Sequence, residues 1–471
     1  MDLFQYKHTK KILFILLIFF SFVSVSWVIK PNNYFVMDDY STLFRAITAK
    51  FELSFLPMAR YNDRPFGLLF VKIIYNFCGY NNVVFHIAFL LVHIFNVFMV
   101  YKSIRLLFCG EKSFFYALIA AGIFGIYPKS LMAVSWVAAV YDLLCCSFVI
   151  LSLYCFFYYI KKDKYKTFYG LFSLFFYMCS LRSKEMSLFL PIFFIAVDLV
   201  HSISNKNKIR PHMFTYISIA WMLIYFVKLL SFPGLQGNEY EQSFNPIIMF
   251  KNFMKYIGLY TDLSNGSMSF LKFNPFMIAG IIAIFLLFLF SLYRIIRTKN
   301  WSMIPWIIGT GIIFAPVLTM NQMQHKLYLY IPGIFLGVCL AYAFSEIITI
   351  IKKNHIAEFS ALILLCLVLC NYTPAVINYN NWWLSFTAKD YNEIKQVEKL
   401  PDLSSNTVVY IKGASEGYNI INPYGPGHIL NLIYEDMTIK TVLVDNFPEN
   451  PSKPYTFWEY TDGVFYQVEL D

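Results

Sequence analysis

The sequence predicts an all-α polytopic membrane protein of about eleven transmembrane helices, carrying a small α/β domain at its C-terminal end. Three observations predict it. Of 471 residues, 58% are apolar and only 14% are charged, whereas a soluble domain needs about 25% charged residues to cover its surface. The apolar residues fall in blocks of about 17–22, the length that crosses a ~30 Å hydrocarbon core at 1.5 Å per residue. The last ~95 residues then turn polar, with short β-branched runs separated by Pro, Gly and Asn. A single soluble core is excluded.

The apolar blocks lie at about 12–29, 83–101, 114–127, 140–160, 167–181, 186–200, 213–230, 276–293, 303–319, 327–347 and 358–374. A cleaved signal peptide is an alternative for the first, but its length suits an uncleaved anchor. The connections alternate in character. The N-terminus, Lys102 to Lys112, 161–166, 205–210, 294–299 and Lys352–Lys353 are short and basic, holding eighteen Lys and Arg between them. By the positive-inside rule this is the cytoplasmic set. The other set includes two long loops, about 30–82 and 231–275, with short links near 128–139, 182–185 and 320–326. Eleven crossings from a cytoplasmic N-terminus put the C-terminus outside the cytoplasm.

The expected division is therefore 1–375 for the membrane part and 376–471 for the small domain. In the latter, a helix-compatible stretch from Asn381 precedes β-like runs at 406–414, 439–447 and 463–470. The net charge of +10 is explained by basic residues at helix ends. No Lys/Arg stripe with interleaved aromatics points to nucleic acid. The nine cysteines form no CxxC and no disulfide framework, and read as small hydrophobes.

The loop after the first helix holds adjacent carboxylates, Asp38 and Asp39. Adjacent acids repel and are costly beside a low-dielectric boundary, although an Asp before an apolar run also suits helix capping. The same loop contains two stretches that can lie flat on the membrane, about 40–56 and 65–78, with YNDRPFG between them. Arg64 there can clamp a phosphate bidentately while a nearby acid takes a proton from a hydroxyl. Equally, it can pair with Asp63 or with lipid headgroups. Further polar residues gather in the short links: Lys129; Asp142; Arg182, Lys184 and Glu185; His325, Lys326, Tyr328 and Tyr330. Ionisable groups at the mouths of membrane helices are costly and tend to face a cavity. Lys184 and Glu185 can also pair with each other, and His325 alone suits a satisfied interfacial histidine.

Together these residues resemble the GT-C glycosyltransferases, polytopic enzymes that use polyprenyl-phosphate sugars. Asp38-Asp39 resembles the acidic motif of their first extracytoplasmic loop. RPFGLLFVKIIYNFCGYNNVVFHIAFLLVHIFNVFMVY is similar to the Arg-Pro and His/Asn-spaced helix that follows it, and IYPKSLMAVSWVAAVYDLL to their helix-borne Asp segment. LRSKEMSLFLPI resembles their Lys-Glu motif, and LYLYIPG their Leu-Tyr-x-Pro motif. The similarity spans about 34–200 and 323–340. The basic residue that precedes the last motif in relatives is displaced here to His325-Lys326. Composition and size look most like bacterial enzymes that decorate lipopolysaccharide O-antigen, including serotype-converting glucosyltransferases.

The resemblance implies an inverting transfer of a hexose from undecaprenyl phosphate to a glycan or lipid-linked glycan acceptor. Asp38, or Asp39 if the register is off by one, would be the base. Arg64, His325, Lys326, Tyr328 and Tyr330 would hold the donor phosphate, with Lys129, Asp142, Arg182, Lys184 and Glu185 in support. No cofactor is expected; a metal is not required in principle, and a divalent cation is left open. A lipid-phosphate sugar synthase and a flippase are the expected functional partners. Two other classes compete: a lipid-linked glycan transporter or flippase, and an O-antigen polymerase. The first would show repeats and midplane breaks, and the second arginine-rich loops in the second half.

Overall fold

The computed structural model describes residues 7–49, 64–108, 112–162, 164–204, 212–230, 243–261, 275–320, 325–351, 356–414, 420–421 and 428–469. In lipid every backbone polar group must be satisfied within the chain, so apolar segments become helices. α1 (Lys7–Val25) continues into a 3-10 turn, Ser26–Ile29, and is followed by α2 (Asp38–Thr48) and α3 (Pro65–Cys78). Next come α4 (Asn82–Leu107), α5 (Lys112–Ile126), the short α6 (Met132–Ser135), α7 (Val140–Lys161), α8 (Lys166–Leu181) and α9 (Leu190–Ser204). The bundle is completed by α10 (Met213–Leu230), α11 (Pro246–Thr261), α12 (Pro275–Thr298), α13 (Ile304–Leu318), α14 (Pro332–Ile351) and α15 (Ile356–Val397).

Each of the eleven expected membrane segments coincides with one of these helices. Among the described residues, seven stretches are long and apolar enough to span a membrane. Large apolar side chains on α1, α10 and α12, such as Ile15, Val227 and Leu286, stand exposed, as a lipid-facing rim requires. One expectation is corrected. The segment 231–275, read as a loop, contains the sixteen-residue helix α11, whose Tyr256, Leu259 and Tyr260 are buried. Its Lys251 and Lys255 interrupt the apolar run that would have marked it.

α7 is the hub, packing against α4 and α8 and buried on nearly every face. Small polar residues allow this. The Ser152 hydroxyl donates to the Ser173 carbonyl on α8 (2.7 Å), and the Ser173 hydroxyl donates back to the Ser152 carbonyl (3.0 Å). Such reciprocal bonds hold helices together where lipid offers no hydrophobic drive between them.

α2 and α3 fall on the two semi-apolar stretches expected in the first loop, of which residues 50–56 lie outside the described ones. α2 buries Asp39, Tyr40, Thr42, Leu43 and Ala46 on one face. The tail forms β1 (Val408–Lys412), α16 (Ile429–Ile433), β2 (Lys440–Val444), β3 (Tyr455–Thr461) and β4 (Val464–Val468). The strand order is β2-β1-β3-β4, parallel around β1 and antiparallel in the β3–β4 hairpin. β3 went unseen in the sequence, although Asp462-Gly463, both at positive φ, is the turn chemistry of a two-residue hairpin.

Helix α15 carries this domain back onto the first loop. Trp383 Nε1 donates to Asn33 Oδ1 (2.8 Å) and the Thr387 hydroxyl to the Asn32 carbonyl (2.9 Å). Tyr40 donates to the Phe35 carbonyl (2.6 Å) with Asp390 Oδ2 at 3.4 Å. Phe44 of α2 stacks on His428 at 3.7 Å. The tail is therefore part of what places α2.

Candidate active site

The two acids of the first loop have different surroundings. Asp39 is 1% exposed. Its Oδ2 accepts from the Val36 amide (3.0 Å) and its Oδ1 from the Ala138 amide (2.6 Å), pinning the start of α2 to the 3-10 turn Val137–Ala139. Burial holds its pKa well above the ordinary carboxylate range, helped by the Asp38 and Asp390 charges and opposed by the two amides. Asp38 is only partly buried. Among the described residues its carboxylate accepts no hydrogen bond. Burial raises its pKa too. Residue Met37, just before, has φ 49, a strained conformation for a non-glycine residue.

Arg64 caps the start of α3 and reaches Glu185, its Nη2 lying 3.0 and 2.9 Å from the two carboxylate oxygens. Its guanidinium lies 5.3 Å over the Tyr141 ring. Lys184 pairs with Asp142 at 2.5 Å and sits 4.7 Å over the Tyr328 ring. Lys184 and Glu185 thus pair with other helices rather than with each other, which corrects one reading of that motif. The Asp63 alternative for Arg64 lies outside the described residues. Tyr141 has Asp38, Arg45 and Thr42 of α2 beside it.

His325 lies in the same group. Its Nδ1 accepts from the Leu327 amide at 3.3 Å, which places any proton on Nε2. Burial, followed by Lys184 and Lys326, pushes its pKa down to about 3. It is a neutral donor rather than a cation. Lys326 is 1% exposed. Tyr256 of α11 hydrogen-bonds the His325 backbone, so the helix unseen in the sequence shapes this end of the site.

Asp38, Arg64, Asp142, Lys184, Glu185, His325, Lys326 and Tyr328 are thus brought together. Others are not. The Tyr330 hydroxyl donates to His93 Nδ1 (2.8 Å) and accepts from Asn96 Nδ2 (3.4 Å), while His93 Nε2 donates to the Gly125 carbonyl (3.2 Å). Its expected role as a phosphate ligand is corrected to a core brace between α4, α5 and the segment before α14. Arg182 is fully buried and hydrogen-bonds Tyr225. Lys129 lies in the 3-10 turn Pro128–Leu131, and its side chain is outside the described ones. Sequence reasoning missed Tyr141 and Trp136, the latter with its indole ring 6.0 Å from His325. The aromatic residue directly before a helix-borne Asp was the available signal for Tyr141.

Paired acids and bases hold the cations in place, and Asp38, whose carboxylate accepts no hydrogen bond among the described residues, stands at the edge. Such an arrangement is preorganised to receive an anion and a hydroxyl. Among the described residues, no group of three or more His, Cys, Asp or Glu is placed to hold a metal ion.

Gly67 of α3 is a point of close approach. A Cβ there would fall 2.6 Å from Tyr141 Cε1. Gly67→Ala should therefore displace the Tyr141 ring and Arg64 with it, lowering turnover by about 10–100-fold. Wild-type turnover with an unchanged melting temperature would show that the ring does not position Arg64.

No family model matches the chain, and no curated protein matches it in sequence. Solved structures match it in fold. The archaeal oligosaccharyltransferase of Archaeoglobus fulgidus in its apo form gives a TM-score of 0.54 at 12% identity, covering 93% of this chain and 65% of that one. The oligosaccharyltransferase AglB from the same organism, in complex with an inhibitory peptide and a dolichol-phosphate, gives 0.53 at 12% identity, covering 92% and 64%. ArnT from Cupriavidus metallidurans, bound to undecaprenyl phosphate, gives 0.49 at 13% identity, covering 96% and 93%. The chain thus spans under two thirds of the length of the archaeal enzyme. It is a polytopic membrane protein that shares its fold with the archaeal oligosaccharyltransferase and carries a small C-terminal sheet domain.

Proposed function

We propose that this chain is an inverting glycosyltransferase. It moves a hexose such as glucose from undecaprenyl phosphate to a cell-surface glycan, such as lipopolysaccharide O-antigen, on the periplasmic face of the inner membrane. Residues 1–375 form the catalytic part, and 376–471 help shape the acceptor side. The observation that carries this reading is the difference between the two acids. Asp39 is locked by two amides, whereas Asp38, among the described residues, has no hydrogen-bond partner and stands beside Tyr141 and the Arg64–Lys184–His325 group. The dolichol-phosphate in the AglB complex, a ligand of the same lipid-phosphate class on the same fold, supports it.

In the reaction, Asp38 takes the acceptor hydroxyl proton as that oxygen attacks the anomeric carbon. The bond from that carbon to the phosphate oxygen breaks on the opposite face, its electron pair leaving with the lipid phosphate. Arg64, Lys184 and Lys326 balance the charge, and His325 Nε2 donates to a phosphate oxygen. Tyr328 carries Lys184 on its ring.

The proposal is tested by mass analysis of surface polysaccharide with and without the gene. Loss of a hexose unit is expected, and an unchanged glycan would refute the reading. With the purified protein, Arg64→Ala should weaken binding of undecaprenyl-phosphate hexose by about tenfold or more, the scale of a charge-assisted contact; unchanged affinity removes Arg64 from the phosphate site. The pH profile is a separate check. The base acts as a carboxylate, so turnover falls as pH drops through the Asp38 pKa, which burial places above the usual range. Because His325 stays neutral down to about 3, no limb near 6.5 is expected. A limb there that vanishes in His325→Gln would show that His325 titrates during turnover.

A further inference from the structure

A second site lies at the far end of the bundle. α7 runs from Asp142 to Lys161, about 30 Å at 1.5 Å per residue, and its far end borders a cavity of about 200 Å³. The walls are apolar: Leu107 of α4, Val197 and Val200 of α9, and Pro305 of α13. The mouth is polar: Lys161, His201, Ser204 and Ser302.

The charge around this mouth is mostly positive. Lys161, Lys166 and His212 all act electrostatically on His201. The carboxylate beside them, Asp198, is already engaged. It accepts from His212 Nδ1 (2.7 Å), the His212 amide (3.0 Å) and the Thr215 hydroxyl (2.5 Å). Lys166 is itself set over the Tyr159 ring at 5.3 Å. Cations and two hydroxyls therefore rim an apolar cleft between membrane helices.

We propose that this cavity binds an anionic glycerophospholipid. The headgroup phosphate is held by Lys161 and His201 with Ser204 donating, while the Ser302 hydroxyl donates to Asn300 Oδ1 (2.5 Å), and part of an acyl chain lies along Leu107, Val197 and Val200. Basic pockets between membrane helices take anionic headgroups in this way. A free phosphate would satisfy the rim but would leave the apolar walls uncovered. This site is independent of the sugar-transfer reading and uses none of its residues.

The test is native mass spectrometry of the full chain released from nanodiscs containing equal phosphatidylglycerol and phosphatidylcholine. The wild type should retain phosphatidylglycerol at least fivefold over phosphatidylcholine. The preference should fall at least threefold in the double variant Lys161→Glu/His201→Gln and in the cavity-filling Val200→Trp. It should persist in Lys162→Glu, which changes the neighbouring exposed charge. Should Val200→Trp fold poorly, the surface double variant decides alone. Equal retention of the two lipids, or an equal fall in Lys162→Glu, overturns the proposal. So does displacement of the retained lipid by inorganic phosphate, which would assign the rim to a free anion.

Discussion

Asp38→Asn should lower sugar transfer at least ~100-fold, the usual scale for loss of a general base, while the protein still folds and binds its lipid donor. The carboxylate has no hydrogen-bond partner among the described residues and is only partly buried. Exchanging one oxygen for an amide nitrogen therefore breaks no hydrogen bond among the described residues. Asp39→Asn should behave differently. Both of its oxygens accept backbone amides, from Val36 and Ala138, and an amide nitrogen cannot accept. Whichever way the Asn turns, one buried N–H loses its partner at a cost of about 1–3 kcal/mol. Initial rates in proteoliposomes, donor affinity and melting temperature separate the two. If both variants keep near-normal transfer, Asp38 is not the base.

The second large effect concerns stability. Lys184 and Asp142 are paired at 2.5 Å with side chains 9% and 3% exposed. Lys184→Met leaves Asp142 buried without its cation, and breaking a buried pair from one side costs about 3–5 kcal/mol. The double variant Lys184→Met/Asp142→Leu removes both charges and should recover most of that loss, because two desolvated groups are replaced by packing. It should not recover transfer if Lys184 balances phosphate charge. Unfolding in mixed micelles reads the first, and the transfer assay the second. A single Lys184→Met variant as stable as the wild type would show that Asp142 has another partner.

Legibility in the sequence followed the physics of each signal. The membrane helices were visible because a lipid-crossing segment must be apolar over about 20 residues, so composition alone carries the information. α2 and α3 were visible as semi-apolar stretches flanking YNDRPFG. α11 was not, since Lys251 and Lys255 break its apolar run while its Tyr256, Ile257, Leu259 and Tyr260 supply the buried face. β3 was hidden because Tyr455–Thr461 follows a proline and holds a Glu among its aromatics, although the Asp-Gly turn after it carried a readable hairpin signal.

Several polar roles were beyond reach from sequence. Lys184 and Glu185 are neighbours in the chain, and pairing with each other is the simplest local reading. In the fold they diverge to Asp142 and Arg64, because consecutive residues around a helix start project in different directions. Tyr330 sits two residues from Tyr328, yet the two face different surroundings. Tyr328 lies beneath Lys184, whereas Tyr330 closes a core network with His93 and Asn96. The 3-10 turn Lys326–Leu329 decides that divergence.

By itself, then, the sequence determined the solvent of this protein, the positions of its long apolar helices and the grouping of its unusual polar residues at the ends of those helices. These are properties of length, composition and period, and they need no knowledge of what packs against what. Only the tertiary structure decided which acid of the Asp38-Asp39 pair is locked, which cation answers which carboxylate, and that the tail clamps the first loop through Trp383, Thr387 and His428. Those outcomes depend on hydrogen bonds between residues as far as 355 positions apart in the chain, where direction and distance, not residue type, set the energy.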